Sequence, residues 1–282
     1  MSTLDQLTVA PEDTVLYDVQ ADGVAVLTLN RPGRRNAWGY DMEARYYALL
    51  DEAAADPAVR VIVVTGAGGT FCPGMDMDIL RRASTDPTYQ RPARRPQTHA
   101  RTVPKPVVAA VDGACAGIGF VQALMADLRF TTARAKWTPS FTRLALSSED
   151  AVSWLLPRLV GAGHAADLLL SCRVVRGEEA ARLGLANRCV EPDDLLSAAL
   201  AWAGDVARNC APWALAQVKN QLSLDMTATL EEARLRSNEL LTQARDRVDY
   251  AEGVASFRER RAPRFEGLPA DHPAVELAGL GR

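Results

Sequence analysis

Two short stretches rich in small residues mark the places in this sequence where the backbone itself could do chemistry. They read Phe71-Cys-Pro-Gly-Met-Asp76 and Asp112-Gly-Ala-Cys-Ala-Gly-Ile-Gly-Phe120. Glycine lets the backbone approach a ligand closely, and the first N–H groups of a following helix are free to donate hydrogen bonds. Two such loops that face each other would direct two N–H donors at one carbonyl oxygen. Such a pair is an oxyanion hole, and it implies enolate or acyl chemistry.

Buried strands are expected to position both loops, because the apolar runs Val59–Thr65 and Val107–Val111 precede them. Further strands are predicted at Tyr17–Gln20, Val24–Leu29 and Leu128–Thr132, and helices at 39–55, 150–160, 162–171, 177–183, 193–208, 212–222 and 227–247. The turn Ala-Asp-Gly23 is typical of a hairpin between the first two strands. The pattern predicts an α/β fold in which strand–strand–helix units are followed by helices.

Two further segments carry specific structural expectations. The stretch Arg81–Lys105 contains several prolines and arginines, and we expect a mobile loop or broken helix there that covers the ligand site. The last helix is predicted to begin at Asp249 and to stop before Pro263. Because Glu252 follows three residues after Asp249, the pattern suggests a capping box.

Composition excludes several classes of function. The 282 residues carry a net charge of −3, which argues against a broad nucleic-acid surface. Residues 1–11 contain no apolar stretch typical of a signal peptide, and no apolar run approaches the ~20 residues that span a bilayer. The five cysteines are scattered and odd in number, so we expect reduced thiols, a cytoplasmic location and no metal site.

The ordered motifs resemble the enoyl-CoA hydratase/isomerase (crotonase) superfamily over roughly residues 15 to 265. Besides the two glycine loops, the resemblance rests on four stretches: Gly23-Val-Ala-Val-Leu-Thr-Leu-Asn-Arg-Pro32, Lys105-Pro-Val-Val-Ala-Ala-Val-Asp-Gly113, Leu155-Leu-Pro-Arg-Leu-Val-Gly161 and Gly184-Leu-Ala-Asn-Arg-Cys-Val190. It implies a crotonase-like ββα spiral with a helical C-terminal oligomerisation region. The expected divisions are an N-terminal extension at 1–14, the spiral core at 15–200, and a trimerisation region and tail at 201–282.

The same resemblance assigns the two backbone donors and a coenzyme A site. The oxyanion donors are expected to be the N–H groups of Met75 and Ile118. The residues expected around coenzyme A are Arg34, Arg35, Ala37, Gly74, Asp76, Gly117 and Arg260. The arginines suit phosphates, Ala37 is expected to offer backbone contacts to the adenine, and Asp76 is expected to cap the helix that follows the first loop.

The acid–base group is where the sequence departs from the hydratases of this family. Their two glutamates correspond to Val121 and Phe141, and neither side chain can move a proton. A carboxylate follows at Glu149, at a register where other branches carry their working acid. We therefore expect Glu149 to carry the proton, although it could also act with Asp150 only to cap the next helix. Asp150 itself is interpreted as a cap.

Apolar side chains and histidines complete the set of candidates. The acyl pocket is expected to be lined by Val121, Trp137, Phe141 and Trp154. His99 falls in the presumed lid, where a solvated position is favoured over contact with the acyl group. His164 and His272 are expected at the surface or in the polar tail.

The resemblance thus predicts an acyl-CoA-processing enzyme that stabilises a thioester enolate, with enoyl-CoA hydratase as the favoured activity. Double-bond isomerisation and a non-catalytic acyl-CoA-binding scaffold remain alternatives. A dinucleotide-binding loop at Thr65-Gly-Ala-Gly-Gly-Thr70 is disfavoured, because Phe71 stands where the third glycine is needed. Coenzyme A is expected only as part of the substrate, and the assembly is expected to be a homotrimer or a dimer of trimers.

Overall fold

Nine strands form two sheets in the computed structural model, which describes residues 9–277. The strands are β1 (Val15–Val19), β2 (Val24–Leu29), β3 (Val61–Gly66), β4 (Val107–Val111), β5 (Ala114–Ala116), β6 (Leu128–Thr132), β7 (Lys136–Thr138), β8 (Val175–Arg176) and β9 (Arg188–Val190). The main sheet has the order β1-β2-β3-β4-β6-β9, and only the β1–β2 pair is antiparallel. Strands β5, β7 and β8 form the second sheet. Because β3 and β4 are parallel, the segments that leave them emerge at the same edge of the sheet.

Eleven α-helices connect and cover these sheets within the described residues. They are α1 (Tyr40–Ala55), α2 (Met77–Thr85), α3 (His99–Thr102), α4 (Ile118–Met125), α5 (Val152–Val160), α6 (Ala162–Ser171), α7 (Gly177–Leu183), α8 (Leu195–Asn209), α9 (Pro212–Leu224), α10 (Leu230–Arg245) and α11 (Val248–Glu259). Successive residues of a strand point to opposite faces of its sheet. Val61 and Val63 therefore pack with α8, while Ile62 and Val64 belong to the larger core with α1 and α4.

The predicted elements that flank the glycine loops are confirmed. The hairpin of β1 and β2, the two buried strands β3 and β4, and the helix α1 agree with the sequence pattern to within about two residues at most ends. Every residue of β4 is buried, which fits a run of valine and alanine in a strand covered on both faces. These elements therefore position the two loops at the edge of the main sheet.

The proline-rich segment is a helix interrupted by irregular chain. Helix α2 ends at Thr85, residues 86–98 contain no helix or strand, and α3 begins at His99. This arrangement matches the predicted broken helix. Buried contacts hold the irregular part, because Tyr47 donates a hydrogen bond to Gln97 at 2.9 Å and Gln122 donates another to Gln97 at 2.7 Å.

The predicted capping box at Asp249 and Glu252 is wrong. Helix α11 begins at Val248 without a side-chain cap. The Asp249 carboxylate accepts the N–H of Glu266 at 2.9 Å, and Glu252 is paired with Arg261. Both carboxylates therefore hold the segment that returns after α11. The pattern alone could not reveal this, because the competing partners come from later in the chain.

A capping box does occur at the start of α10. The Thr229 hydroxyl accepts the Glu232 N–H at 3.3 Å, and the Glu232 carboxylate accepts the Thr229 N–H at 2.6 Å. Since α10 buries none of its residues, this cap is a main support of its first turn. We expect Thr229→Ala to cost about 1 kcal/mol of local stability.

Amide hydrogen exchange over residues 230–234 measures this effect. Thr242→Ala is the matched control, because the Thr242 hydroxyl bonds to the Asn238 carbonyl within the same helix and alanine favours helix there. Faster exchange in the first turn for Thr229→Ala alone is the expected result. Equal exchange in the two variants would contradict the capping role.

Helix α8 spans the expected division at residue 200. Its buried residues Ala199 and Ala203 pack on the main sheet, so the helix belongs to the same core as the strands. Exposed apolar side chains are concentrated later, on α10 and α11, where Leu230 is 88% and Phe257 is 86% exposed. Among the described residues, no helix is both long and apolar enough to cross a membrane.

Candidate active site

The two glycine loops lie side by side at the edge of the main sheet. Cys72 and Cys115 form a short parallel bridge between them. The Cys72 N–H donates to the Ala114 carbonyl at 2.9 Å, and the Ala116 N–H donates to the Cys72 carbonyl at 3.0 Å. These bonds fix the register of the loops, so that the residues beyond the bridge on each loop also meet.

Glycines make the contact beyond the bridge. Gly74 has φ 120° and Gly117 has φ 50°, conformations that other residues adopt only with strain. A Cβ atom on Gly117 would lie 3.8 Å from the Cα atom of Gly74, and a Cβ atom on Gly74 would lie 3.5 Å from the Ala116 carbonyl oxygen. The loops therefore face each other at this point, as predicted from the sequence.

Each loop presents a backbone N–H with no acceptor among residues 9–277. The Trp38 N–H donates to the Gly74 carbonyl at 2.8 Å, and the Asp76 N–H donates to the Trp38 carbonyl at 3.0 Å. This parallel pairing directs the Met75 N–H away from Trp38. Ile118 is the first residue of α4, so its N–H has no partner within the helix.

Met75 and Ile118 line the same cavity, which has a volume of about 340 Å³. Apolar side chains form much of its wall: Pro73, Met77, Leu80, Phe141, Leu144 and Leu146. Its polar side chains are Tyr40, Tyr89, Arg91, Arg94, Ser140, Arg143 and Glu149. The structure thus brings together both predicted backbone donors and the predicted proton carrier.

Glu149 is the acidic side chain of this lining, within the described residues. It is half-buried and lies just before α5, where Asp150 and Ala151 both adopt left-handed backbone with φ 49° and 61°. The expected cap by Asp150 is wrong. Helix α5 has Ala151 at its N-cap and no side-chain cap, because the left-handed turn precedes the helix.

Asp150 has a carboxyl group with a raised pKa, a feature that the sequence alone did not predict. Burial raises its pKa, as does the charge of Glu149, and Arg94 acts in the opposite direction. The carboxyl of Asp150 therefore gives up its proton less readily than an ordinary aspartate. The only sequence feature that could have indicated this raised pKa was the position of Asp150 directly after Glu149.

Arg94 and Glu43 form a second unanticipated feature of the site. Glu43 is buried in α1, and its carboxylate accepts the Trp38 Nε1–H at 2.8 Å and the Arg94 Nε–H at 2.9 Å. Arg94 also donates through Nη2 to the same carboxylate. This pair ties the irregular segment to α1 beside the first loop. A glutamate within the apolar pattern of α1 was the sequence signal for it.

Only Phe141 of the four predicted pocket residues lines this cavity. Val121 is buried in α4, and the buried Trp137 donates its Nε1–H to the Thr131 hydroxyl at 3.1 Å. Trp154 lines a separate cavity of about 330 Å³. These three placements correct the expectation. Aromatic and apolar side chains near a loop serve the core as readily as a pocket, and the sequence does not distinguish the two.

The predicted coenzyme A residues lie near the first loop with partners of their own. Arg34 pairs with Asp78 at 3.0 Å, and Arg35 is exposed in left-handed backbone. The Ala37 N–H donates to the Arg34 carbonyl at 3.0 Å, and the Ala37 carbonyl accepts from Arg31 at 2.6 Å. Both backbone groups of Ala37 are therefore already hydrogen-bonded, which leaves its carbonyl one lone pair for a ligand.

Asp76 and Arg260 differ in their placement. The Asp76 carboxylate accepts the Asp78 N–H at 3.1 Å at the start of α2, which confirms the expected cap, and it also pairs with Arg31 at 3.0 Å. Arg260 ends α11 in left-handed backbone, is exposed, and lies outside the cavity lining.

The histidines lie outside the cavity. His99 is half-buried at the start of α3, where its Nε2 atom lies 2.8 Å from Asp51 and its ring stacks edge-on against Tyr47. His164 is exposed on α6. His272 lies in the C-terminal segment, with its Nδ1 atom 2.9 Å from the Pro273 carbonyl. The cavity therefore offers carboxylate and phenol groups for proton transfer and no imidazole.

Known proteins match this chain along most of its length. A profile of the family described as "Enoyl-CoA hydratase/isomerase" matches residues 20–268. The 1,2-epoxyphenylacetyl-CoA isomerase of Escherichia coli (strain K12) is 31% identical over 254 residues, covering 87% of this chain and 95% of that protein. The (E)-benzylidenesuccinyl-CoA hydratase of Thauera aromatica is 34% identical over 251 residues, covering 86% and 96%. The crystal structure of an enoyl-CoA hydratase from Polaromonas sp. JS666 superposes with a TM-score of 0.82 at 30% identity, covering 89% of this chain and 99% of that one.

Proposed function

Since this chain belongs to the enoyl-CoA hydratase/isomerase family, we propose that it adds water to a 2-enoyl-CoA through an enolate held by two backbone N–H groups. Its family places it among enzymes of the lyase and isomerase classes. The crotonase-like α/β fold predicted from the sequence is confirmed by the solved structures it matches. Coenzyme A is then part of the substrate.

One observation supports this proposal most strongly. The N–H groups of Met75 and Ile118, both without acceptors in the described residues, line one cavity with Glu149. Two converging N–H donors stabilise the oxygen charge that develops when a thioester becomes an enolate, and losing one such donor typically costs ~3–4 kcal/mol of barrier. Glu149 supplies the group that moves the proton.

In the proposed hydration, Glu149 takes a proton from water while the water oxygen bonds to C3 of the enoyl group. The electron pair of the C2–C3 double bond moves to the thioester, and the enolate oxygen accepts hydrogen bonds from Met75 and Ile118. Glu149 then returns its proton to C2. The thioester C=O re-forms, so the product is the 3-hydroxyacyl-CoA and the carboxylate is regenerated.

Double-bond isomerisation is the second candidate, because one acidic side chain lines the cavity among the residues described. Glu149 would remove a proton from C2 of a 3-enoyl-CoA and form a dienolate on the same two N–H groups. Return of the proton to C4 moves the double bond to C2–C3. This reaction needs one carboxylate and no water.

The coenzyme A moiety is proposed to lie along the first loop. Arg34 and Arg35 are placed there with a half-buried and an exposed side chain, respectively, and guanidinium groups suit phosphates. Gly74 and Gly117 keep the loops free of side chains where the thioester must pass. Arg260 would contribute only through a neighbouring subunit, since it lies outside the cavity lining.

Residues 201–282 are proposed to form the oligomerisation region of a homotrimer or a dimer of trimers. The argument is the apolar exposure of α10 and α11, where Leu230, Val248 and Phe257 are each more than two-thirds exposed. Burying such side chains against another subunit would contribute about 1.5–3 kcal/mol for each one.

Mass spectrometry in D₂O tests the proposed reaction. The protein is incubated with 2-enoyl, 3-enoyl and saturated acyl-CoA esters of several chain lengths. A gain of D₂O by the 2-enoyl ester is the expected result. Deuterium uptake with a shifted double bond and no gain of water would instead assign the isomerase. Binding of the esters without either change would contradict both reactions and favour a non-catalytic acyl-CoA-binding protein.

A further inference from the structure

Two tyrosines form a hydroxyl pair in the same cavity as Glu149. Tyr40 is the first residue of α1, and Tyr89 belongs to the irregular segment between α2 and α3. Their hydroxyl oxygens are 2.5 Å apart, and both residues line the cavity. The pair is therefore formed by two elements that are distant in sequence and meet at this wall.

The pair retains an unused hydrogen-bond donor. Each phenol carries one O–H, and one of the two is used between the oxygens. The other O–H has no acceptor among residues 9–277. Burial raises the pKa of Tyr40, as does its hydrogen bond to Tyr89, so its hydroxyl stays protonated near neutral pH. A purely hydrocarbon acyl group would cover this donor without satisfying it, which is unfavourable.

Arginines hold the two rings in place. The guanidinium carbon of Arg94 lies 5.9 Å from the centre of the Tyr40 ring, and that of Arg82 lies 5.7 Å from the centre of the Tyr89 ring. Such cation–π contacts favour one ring orientation. Arg94 is itself anchored by the buried carboxylate of Glu43. The positions of the two hydroxyl groups in the cavity wall are thus fixed by contacts with neighbouring side chains.

The charges around the pair favour a neutral ligand. Among the described residues, Arg91, Arg94 and Arg143 are the arginines that line the cavity. Three carboxyl groups face the same cluster: Glu43, Glu149 and Asp150. These three positive charges are therefore offset by two or three negative ones, depending on whether Asp150 is protonated. A carboxylate on the ligand would meet at most one excess positive charge, whereas a neutral oxygen would meet an available O–H.

From these contacts we infer that the acyl group of the substrate carries a neutral hydroxyl or carbonyl oxygen, which the Tyr40–Tyr89 pair binds. This inference rests on the proposed function, since it names the class of acyl group that the same cavity accepts. Tyr40 and Tyr89 are then specificity-determining residues that contact the substrate beyond the reacting carbons.

Matched CoA esters test the inference. Three series of 2-enoyl-CoA esters with six, eight and ten carbons are compared: unsubstituted, with a terminal hydroxyl, and with a terminal carboxylate. We expect the wild type to prefer the hydroxylated ester over the unsubstituted ester by about tenfold in kcat/KM at one chain length, as one satisfied hydrogen bond allows. The double variant Tyr40→Phe/Tyr89→Phe keeps the rings and removes both hydroxyls, so it should abolish this preference, whereas each single variant keeps one free O–H.

Tyr250→Phe is the matched control, because Tyr250 is half-exposed on α11 and lines a different cavity. Its preference should equal that of the wild type. The inference is overturned if the wild type prefers the unsubstituted or the carboxylated ester, or if the preference persists in the double variant Tyr40→Phe/Tyr89→Phe. Calorimetric measurement of the binding of the matching saturated esters separates failure of the proposed function from failure of the inference about the tyrosines. A protein that turns over no ester refutes the proposed function, while the binding preference still decides the role of the tyrosines.

Discussion

Glu149→Gln is expected to lower kcat by about a thousandfold, within the range of general acid–base catalysis. Glutamine keeps the size and polarity of the side chain but can neither take a proton from water nor return one to C2. Because Glu149 is only half-buried and its carboxylate accepts no hydrogen bond from residues 9–277, the variant should fold normally. Steady-state turnover of a 2-enoyl-CoA, together with thermal unfolding, measures both effects.

Asp150→Asn is the matched control for this prediction. Asp150 is adjacent in sequence and has the perturbed carboxyl, but the cavity is lined by Glu149. We expect Asp150→Asn to retain most of its turnover. If Asp150→Asn lost activity and Glu149→Gln kept it, the proton carrier would be Asp150 and the assignment of Glu149 would be wrong. Full activity of both variants would contradict the proposed mechanism, because neither carboxylate would then be needed for proton transfer.

Gly119→Ala is expected to reduce turnover by about a hundredfold and to destabilise the fold by about 3 kcal/mol. A Cβ atom at this position would lie 2.3 Å from the Cys72 carbonyl oxygen and 2.7 Å from its Cβ atom. Relief of this overlap must move α4 away from the first loop. The N–H groups of Met75 and Ile118 would then no longer converge on one oxygen, although neither residue has changed.

Gly163→Ala separates this effect from the general cost of replacing glycine. Gly163 lies in α6, and a Cβ atom there meets nothing within 4 Å. Alanine is the better helix former, so this variant should be about 0.5–1 kcal/mol more stable than the wild type and fully active. Turnover and urea unfolding are measured for both variants. Wild-type turnover in Gly119→Ala would show that the spacing of the loops does not control the reaction.

The parts of the site that follow local rules were predictable from the sequence. Glycines between a buried strand and a helix set the shape of both loops, and the parallel pairing of β3 and β4 brings the loops together. Asp76 follows the same logic, because an aspartate before a helix is a common cap. Glu149 was found by its register in the resemblance, and the structure places it in the cavity.

The wall of the cavity was less predictable, because it depends on contacts between distant residues. Arg94 meets Glu43 across 51 positions of sequence, and Tyr89 meets Tyr40 across 49. No sequence motif within the irregular segment indicates which distant residue Arg94 or Tyr89 contacts. Trp137 illustrates the opposite error: its size and position suggested a pocket, but the indole packs in the core with its N–H bonded to Thr131.

The proposed use of main-chain N–H groups as the anion-stabilising donors bears on how this protein can change over generations. A substitution at Met75 or Ile118 alters a side chain that lines the cavity but leaves the peptide N–H in place. Under the proposed mechanism, substitutions at these two positions can therefore change the cavity wall without removing the donors that would stabilise the enolate. The glycines beside them have no such freedom. Under the proposed mechanism, we therefore expect changes of substrate to arise from substitutions in the cavity wall rather than at these glycines.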